Sequence, residues 1–361
     1  MTTVTSTAGP RKEAMQNLAG YTPVPASPEG SASPLLTIED LTVDFSGVRV
    51  LRGIDLAIAP GEALGVVGES GSGKSVTWLA ALGLLPRTAT VSGSVRLGST
   101  ELLGAAATRL DWVRGGRVAM IFQDPSSALN PVIRVGRQVG EVLARHRGLS
   151  GAAIRAEARR LFELVGLPDA GRRLDAYPHE LSGGQNQRVM IAMALAGDPD
   201  MLVADEPTTA LDATIQAQIL DLLTAIRRET GMALVLISHD LGVVSETCER
   251  IVVMYGGRIV ETAPSGTIFE RPRHPYTQGL LAALPPFEGA LRRLIPIEGQ
   301  VPEPTNMPPG CPFAPRCPQR RAACETVVPP LEQIGDRWFS ACITSNGIDA
   351  VAASELKSIP A

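Results

Sequence analysis

The stretch GVVGESGSGKSVTWLAALGLL, from Gly65 to Leu85, contains GxxxxGKS between Gly68 and Ser75, with an apolar run before it and an apolar helical pattern after it. This context restricts the fold, because it demands a strand that turns directly into a helix N-terminus. Glycines let the backbone wrap closely enough for its N–H groups to face phosphate oxygens, and the helix start adds the positive end of its dipole. Gly68, Ser70, Gly71, Ser72, Gly73, Lys74 and Ser75 are therefore the expected nucleotide-binding residues, with Lys74 reaching the β- and γ-phosphates and Ser75 ligating Mg²⁺. An ordinary glycine-rich turn needs no Lys-Ser pair at this offset.

The surrounding pattern agrees. The short apolar runs EALGVVG, RVAMIF, MLVADE and ALVLISHD alternate with stretches rich in Ala, Leu, Arg and Glu, which predicts an α/β core with a largely parallel sheet. Between Arg134 and about Arg173 the apolar positions recur at helical spacing, predicting a helical insertion between strands. Residues 1 to about 34, rich in Thr, Ser, Pro, Ala and Gly, read as a disordered leader. After about Leu284 the chain turns Pro- and Gly-rich and reads as a separate appendage, with a short tail from 346 to 361. No apolar run reaches the roughly 18 to 20 residues that span a bilayer, and no secretory signal is evident. A net charge of −4 argues against a chain that neutralises nucleic-acid phosphates in bulk.

A second acidic element completes the candidate site. MLVADEP is an apolar strand ending in Asp205 and Glu206. Carboxylates at that end of a strand lie beside the phosphate loop in such sheets, so Asp205 suits the Mg²⁺ shell and Glu206 suits a base that polarises the attacking water.

The sequence ELSGGQNQRVMIAMALAGDPDMLVADEPTTALD joins an LSGGQ signature at Leu181 to Gln185, the carboxylate strand and a TALD segment in that order. From about residue 35 to 285 the chain resembles the ATP-binding cassette family. The resemblance implies a P-loop NTPase fold with a RecA-like parallel core, an antiparallel β subdomain and a helical subdomain at about 124–188. It also implies two cassettes that sandwich ATP, each nucleotide lying between one phosphate loop and the partner's signature. Ser182, Gly183, Gly184 and Gln185 fall at the signature, and Asp212 at the dimer seam. Gln123 in IFQDP matches the Q-loop glutamine, which senses Mg²⁺ and the γ-phosphate. His239 in LISHD matches the switch histidine, and Phe45 sits where an aromatic residue usually stacks on adenine.

Beyond the cassette, RPRHPYTQGLLAALP, IPIEGQVPEP and GCPFAPRCPQRRAAC resemble the ATPase subunits of dipeptide/oligopeptide importers. The resemblance implies a second, non-identical ATPase subunit, two permease subunits, an extracytoplasmic solute-binding protein and a peripheral place on the cytoplasmic face of the membrane. Two other readings remain open: a soluble cassette protein acting on nucleic acid or ribosomes, and a redox-responsive regulatory subunit.

Four of the five cysteines crowd into this last segment, 286–345. Cys311, Cys317, Cys324 and Cys342 are separated by five, six and seventeen residues, without the short CxxC knuckle favoured by structural zinc. A reducing compartment disfavours disulfides. Such spacing is compatible with a four-cysteine iron–sulfur cluster, and the family resemblance points to a 4Fe-4S cluster. Zinc and free or transiently oxidised thiols remain alternatives. Cys248 lies well before this group and reads as a packed helix thiol.

Overall fold

The computed structural model describes residues 33–123, 128–209, 211–284 and 296–344. The leader and the terminal tail expected from the sequence lie almost wholly outside the described residues, as does 285–295 of the Pro-rich linker. The chain begins with β1 (Leu36–Phe45) and β2 (Val48–Ile58), then β3 (Ala63–Val67), α1 (Lys74–Ala81), β4 (Ala89–Leu97), β5 (Thr100–Glu101), α2 (Ala107–Val113) and β6 (Val118–Ile121). A helical layer follows: α3 (Val135–Arg147), α4 (Gly151–Leu164), α5 (Ala170–Arg173) and α6 (Gly183–Leu195). The chain then returns to the sheet through β7 (Met201–Asp205), α7 (Ala213–Thr230), β8 (Ala233–Ser238), α8 (Leu241–Thr247), β9 (Arg250–Tyr255) and β10 (Arg258–Pro264). Helices α9 (Ser265–Glu270) and α10 (Pro275–Ala282) and a terminal hairpin, β11 (Glu332–Gly335) and β12 (Trp338–Ser340), complete it.

Two sheets result. One is antiparallel, in the order β2-β1-β4-β5; the other has eight strands in the order β11-β12-β10-β9-β3-β8-β7-β6. Strands β9, β3, β8, β7 and β6 are mutually parallel. Every residue of β3, β7 and β8 is buried, which is why these segments read as unbroken apolar runs rather than alternating ones. In β1, by contrast, Leu36, Ile38, Leu41 and Val43 face the core while intervening residues are more open, the pattern of a sheet covered on one face.

The helical insertion predicted over 134–173 is α3 to α5. Gly148 and Gly166, at φ 65° and 71°, follow α3 and α4 in left-handed conformation, as a helix C-terminus favours. Val139, Leu143, Leu161, Phe162 and Val165 are buried between these helices and α6. Helix α6 does not stop at 188: it continues to Leu195 and packs on β6, so one rigid rod joins the helical layer to the sheet. No described helix is long and apolar enough to cross a membrane.

The described part of the C-terminal segment is not set apart from the core, as the sequence suggested. Strand β12 pairs antiparallel with β10, and Phe313 and Trp338 belong to the same buried cluster as β7 and β8. Pairing at a sheet edge uses backbone groups and a few large side chains, which a Pro-rich composition does not reveal. Glu261, fully buried on β10, fixes the junction: its carboxyl oxygens accept from the backbone N–H of Arg273 (2.8 Å) and His274 (2.9 Å) and from Trp338 Nε1 (3.0 Å). Cys248 follows α8 as its cap residue, 5% exposed, and burial pushes its thiol up to about 12.

Candidate nucleotide site

Strand order builds this site. The phosphate loop leaves the C-terminal end of β3, Glu206 that of β7, His239 that of β8, and Gln123 lies just beyond β6. These are the four neighbours β3-β8-β7-β6, so residues up to 171 positions apart in the chain share one edge of the parallel sheet.

The loop is close-packed. A side chain at Gly68 would meet Met254 O at 2.3 Å, and one at Gly73, which has φ 103°, would meet Leu51 Cδ2 at 2.6 Å. Gly73 caps α1, whose first residue is Lys74. Lys74 Nζ donates to the carbonyls of Gly68 (2.7 Å) and Glu69 (3.1 Å). Burial lowers the Lys74 pKa against the opposing pull of Glu206, Asp205 and Glu69. Ser70 and Gly71 are exposed at the loop tip, and the buried Ser72 hydroxyl has no hydrogen-bond partner among the described residues.

Ser75 hydrogen-bonds the Asp205 carboxyl, and burial raises the Asp205 pKa, reinforced by Glu206 and opposed by Ser75 and Lys74. Two hard oxygen donors thus adjoin at a buried carboxyl whose charge is disfavoured, a donor set that fits a magnesium ion.

The three residues expected to run hydrolysis meet at one carboxyl. Glu206 Oε2 accepts from Gln123 Nε2 (3.1 Å) and from Thr209 Oγ1 (2.8 Å), and lies 3.3 Å from His239 Nδ1. Glu206 itself sits at φ 46°, an unusual conformation for a non-glycine residue. Its backbone N–H donates to Ile237 O at 3.0 Å, anchoring that turn to β8.

The signature residues form the start of α6. Ser182 is its cap: its hydroxyl accepts from Gln185 N (3.3 Å), and Gln185 Oε1 accepts from Ser182 N (3.1 Å). This reciprocal box leaves the N–H groups of Gly183 and Gly184 in the open first turn. No hydrogen bond or ion pair among the described residues links Ser182–Gln185 to the phosphate loop of the same chain. Asp212 caps α7, its carboxyl accepting from Ile215 N at 3.0 Å, on an exposed surface. Phe45, at the end of β1, is half-buried against the antiparallel core.

Cys311, Cys317, Cys324 and Cys342 line one small cavity with His274, Phe313 and Ile343. All four thiols are free. Burial pushes Cys311 up to about 11 and raises Cys317. Among the described residues, no group of three or more His, Cys, Asp or Glu is placed to hold a metal ion. The iron–sulfur or zinc ligand set expected from the sequence is thus not shown by this geometry: the chain brings the four cysteines round one cavity, and burial favours the neutral thiol at Cys311 and Cys317.

Sequence reasoning passed over three contacts. Thr209 on Glu206 had no spacing signal. Glu69, inside the loop, accepts a bidentate ion pair from Arg316 and donates its N–H to Tyr276 Oη (2.8 Å). The acidic residue within GESGSGKS was the available clue to a distant cation.

Comparison with known proteins agrees with this geometry. The ABC transporter family model matches residues 51–209, and the model of the oligopeptide/dipeptide transporter C-terminal region matches 260–324. A putative peptide import ATP-binding protein of Brucella abortus (strain 2308) is 51% identical over 310 residues, covering 84% of this chain and 93% of the relative. The dipeptide transport ATP-binding protein DppD of Bacillus subtilis (strain 168) is 46% identical, over 82% of this chain and 90% of its own length. A solved ATP-binding cassette dimer in a post-hydrolysis state with ADP and Pi aligns with a TM-score of 0.57 at 29% identity, covering 64% of this chain and 98% of that one. Loop, carboxylate strand, signature and C-terminal segment all coincide with these matches, and the chain belongs to the ABC transporter family, as an ATP-binding subunit of its oligopeptide/dipeptide branch.

Proposed function

We propose that the chain is one of two ATPase subunits, non-identical, that power import of dipeptides or oligopeptides through a pair of permease subunits fed by an extracytoplasmic solute-binding protein. It would sit peripherally on the cytoplasmic face of the membrane, with no nucleic-acid partner. The observation that carries the ATPase reading is the convergence of Gln123, Thr209 and His239 on Glu206 at the sheet edge that bears the phosphate loop. The names of the relatives support peptide import as the work being driven. They lend nothing to a nucleic-acid, ribosomal or redox-regulatory role.

In this reading the N–H groups of Ser70 to Gly73 and the Lys74 ammonium hold the phosphates, and Phe45 stacks on adenine. Ser75, Asp205 and Gln123 would hold Mg²⁺, which when bound would supply positive charge against the phosphates. Glu206 accepts the proton of the attacking water as that water adds in line to the γ-phosphorus and the bond to the bridging oxygen breaks, releasing ADP and inorganic phosphate. His239 orients the γ-phosphate. Ser182, Gly183, Gly184 and Gln185 serve the partner's nucleotide, since a helix N-terminus favours an anion, and Asp212 lies at the seam. Glu206→Gln keeps the size and hydrogen bonding of the side chain but removes the base. It is expected to bind ATP normally while losing hydrolysis by about 10²- to 10⁴-fold; steady-state turnover at the wild-type rate would remove Glu206 from this role.

A finer reading concerns the tail. Four thiols round one cavity support a 4Fe-4S cluster, with zinc as the alternative, whose binding would organise a segment of low apolar content. Protein purified without oxygen is expected to carry iron and acid-labile sulfide. Stoichiometric zinc without sulfide, or no metal, overturns the cluster.

A further inference from the structure

A phosphate loop must attract a polyanion, yet this one carries a carboxyl at its second position. Glu69 already acts electrostatically on Lys74, so an uncompensated charge there would compete with the γ-phosphate for that ammonium. Arg316, between Cys311 and Cys317, meets it. Arg316 Nη1 lies 2.6 Å from Glu69 Oε2, and Nη2 lies 3.0 Å from Oε1, the two-pronged geometry that makes Arg–carboxylate pairs strong and directional.

The arginine is held in place for this contact. Its side chain is 5% exposed; Nε donates to Glu298 O (2.8 Å), and it lies over the rings of Tyr255 and Phe313. Tyr276 Oη, from the ring cluster that Arg316 lies over, accepts the Glu69 N–H at 2.8 Å. Both the side chain and the backbone of Glu69 are thus held by residues of the 260–324 region, one from α10 and one from the cysteine segment.

We propose that Arg316 is a positioning residue of the ATP site: it neutralises and orients Glu69, so that the C-terminal segment is a working part of its own chain's phosphate loop. The inference rests on the ATPase reading given above. Its chemical requirement is a cation at 316 only because a carboxyl stands at 69, and this supplies a test that a purely structural arginine would not pass.

ATP affinity and turnover are measured on the full-length chain as wild type, Arg316→Ala, Arg316→Lys and the double variant Arg316→Ala/Glu69→Gln. Arg316→Ala is expected to weaken ATP binding about 5- to 20-fold, the usual size of coupling between linked sites, with kcat at saturating ATP changed by less than about twofold. Removing the carboxyl in the double variant restores affinity to within about threefold of wild type, and Arg316→Lys, which keeps charge but not the fork, falls between. A folded Arg316→Ala with wild-type affinity overturns the proposal. So does a double variant as weak as Arg316→Ala, because the arginine would then act by holding the segment together. Should Arg316→Ala not fold, Arg316→Lys with and without Glu69→Gln is read the same way. A wild-type chain that binds no ATP refutes the ATPase reading instead, which keeps the two failures distinct.

Discussion

Glu206 concentrates the chemistry in one carboxyl that three neighbours approach, each from a different loop. Thr209, three residues on, donates its hydroxyl at 2.8 Å to the same oxygen that Gln123 and His239 approach. A hydrogen bond to a carboxylate fixes its direction. Thr209→Val keeps the shape and removes the donor, so kcat for ATP hydrolysis is expected to fall about 10-fold with KM little changed, since the loss of one positioning hydrogen bond acts on the chemical step. Steady-state kinetics on purified protein check this; an equal loss in KM would place Thr209 in nucleotide binding.

At the scale of elements, the helical layer depends on a joint between α3 and α4. Arg147, in the last turn of α3, reaches Glu157 on α4 at 2.6 Å, and Arg160 joins the same carboxylate at 2.8 Å. The Arg160 hydrogen bond, against a smaller burial penalty and with help from Arg147, holds Glu157 down to about 2, well below its usual 4.5. A depressed folded-state pKa means the unfolded chain binds the proton first as pH falls. The stabilisation is complete above about pH 4.5 and is lost on the way down to about pH 2. With solvent screening of a partly open pair, Glu157→Gln is expected to cost about 1 kcal/mol at pH 7. The gap from wild type should close between pH 4.5 and pH 2; urea unfolding across that range reads it, and a pH-independent gap would mean that packing, not charge, is lost.

At the scale of the whole molecule, the C-terminal segment closes the sheet edge at β10 and touches the nucleotide loop at Glu69. Glu261 is the fastener, gathering the backbone N–H groups of Arg273 and His274 and the Trp338 indole around buried oxygens. Glu261→Gln would turn an NH₂ group toward at least one of these donors. It is expected to destabilise the chain by about 2–4 kcal/mol, the range for a buried polar network left partly unpaired. Thermal unfolding measures the loss, and limited proteolysis should show earlier cleavage in 296–344. Unchanged melting with unchanged protease resistance would mean that the segment is held by Phe313 and the other aromatic contacts alone.

The glycine-rich strand-to-helix turn at Gly68–Ser75 was legible from the chain alone because its chemistry is local: glycines, a lysine and a serine at fixed offsets need no distant partner to declare themselves. The same holds for the buried strands, whose unbroken apolar runs report cover on both faces. What the sequence left unspecified was long-range. The strand order that brings Gln123, Glu206 and His239 together, the edge pairing of β12 with β10, and the reach of Arg316 to Glu69 across 247 positions depend on register and on a few large contacts rather than on periodicity. The four cysteines show the boundary between the two: their spacing suggested a ligand set, but only the folded chain could decide that they line one cavity and that burial raises the Cys311 and Cys317 thiols there. Local backbone chemistry is written in neighbouring residues, whereas a contact that must first offset the entropy of closing a long loop is fixed only by the packing of the whole.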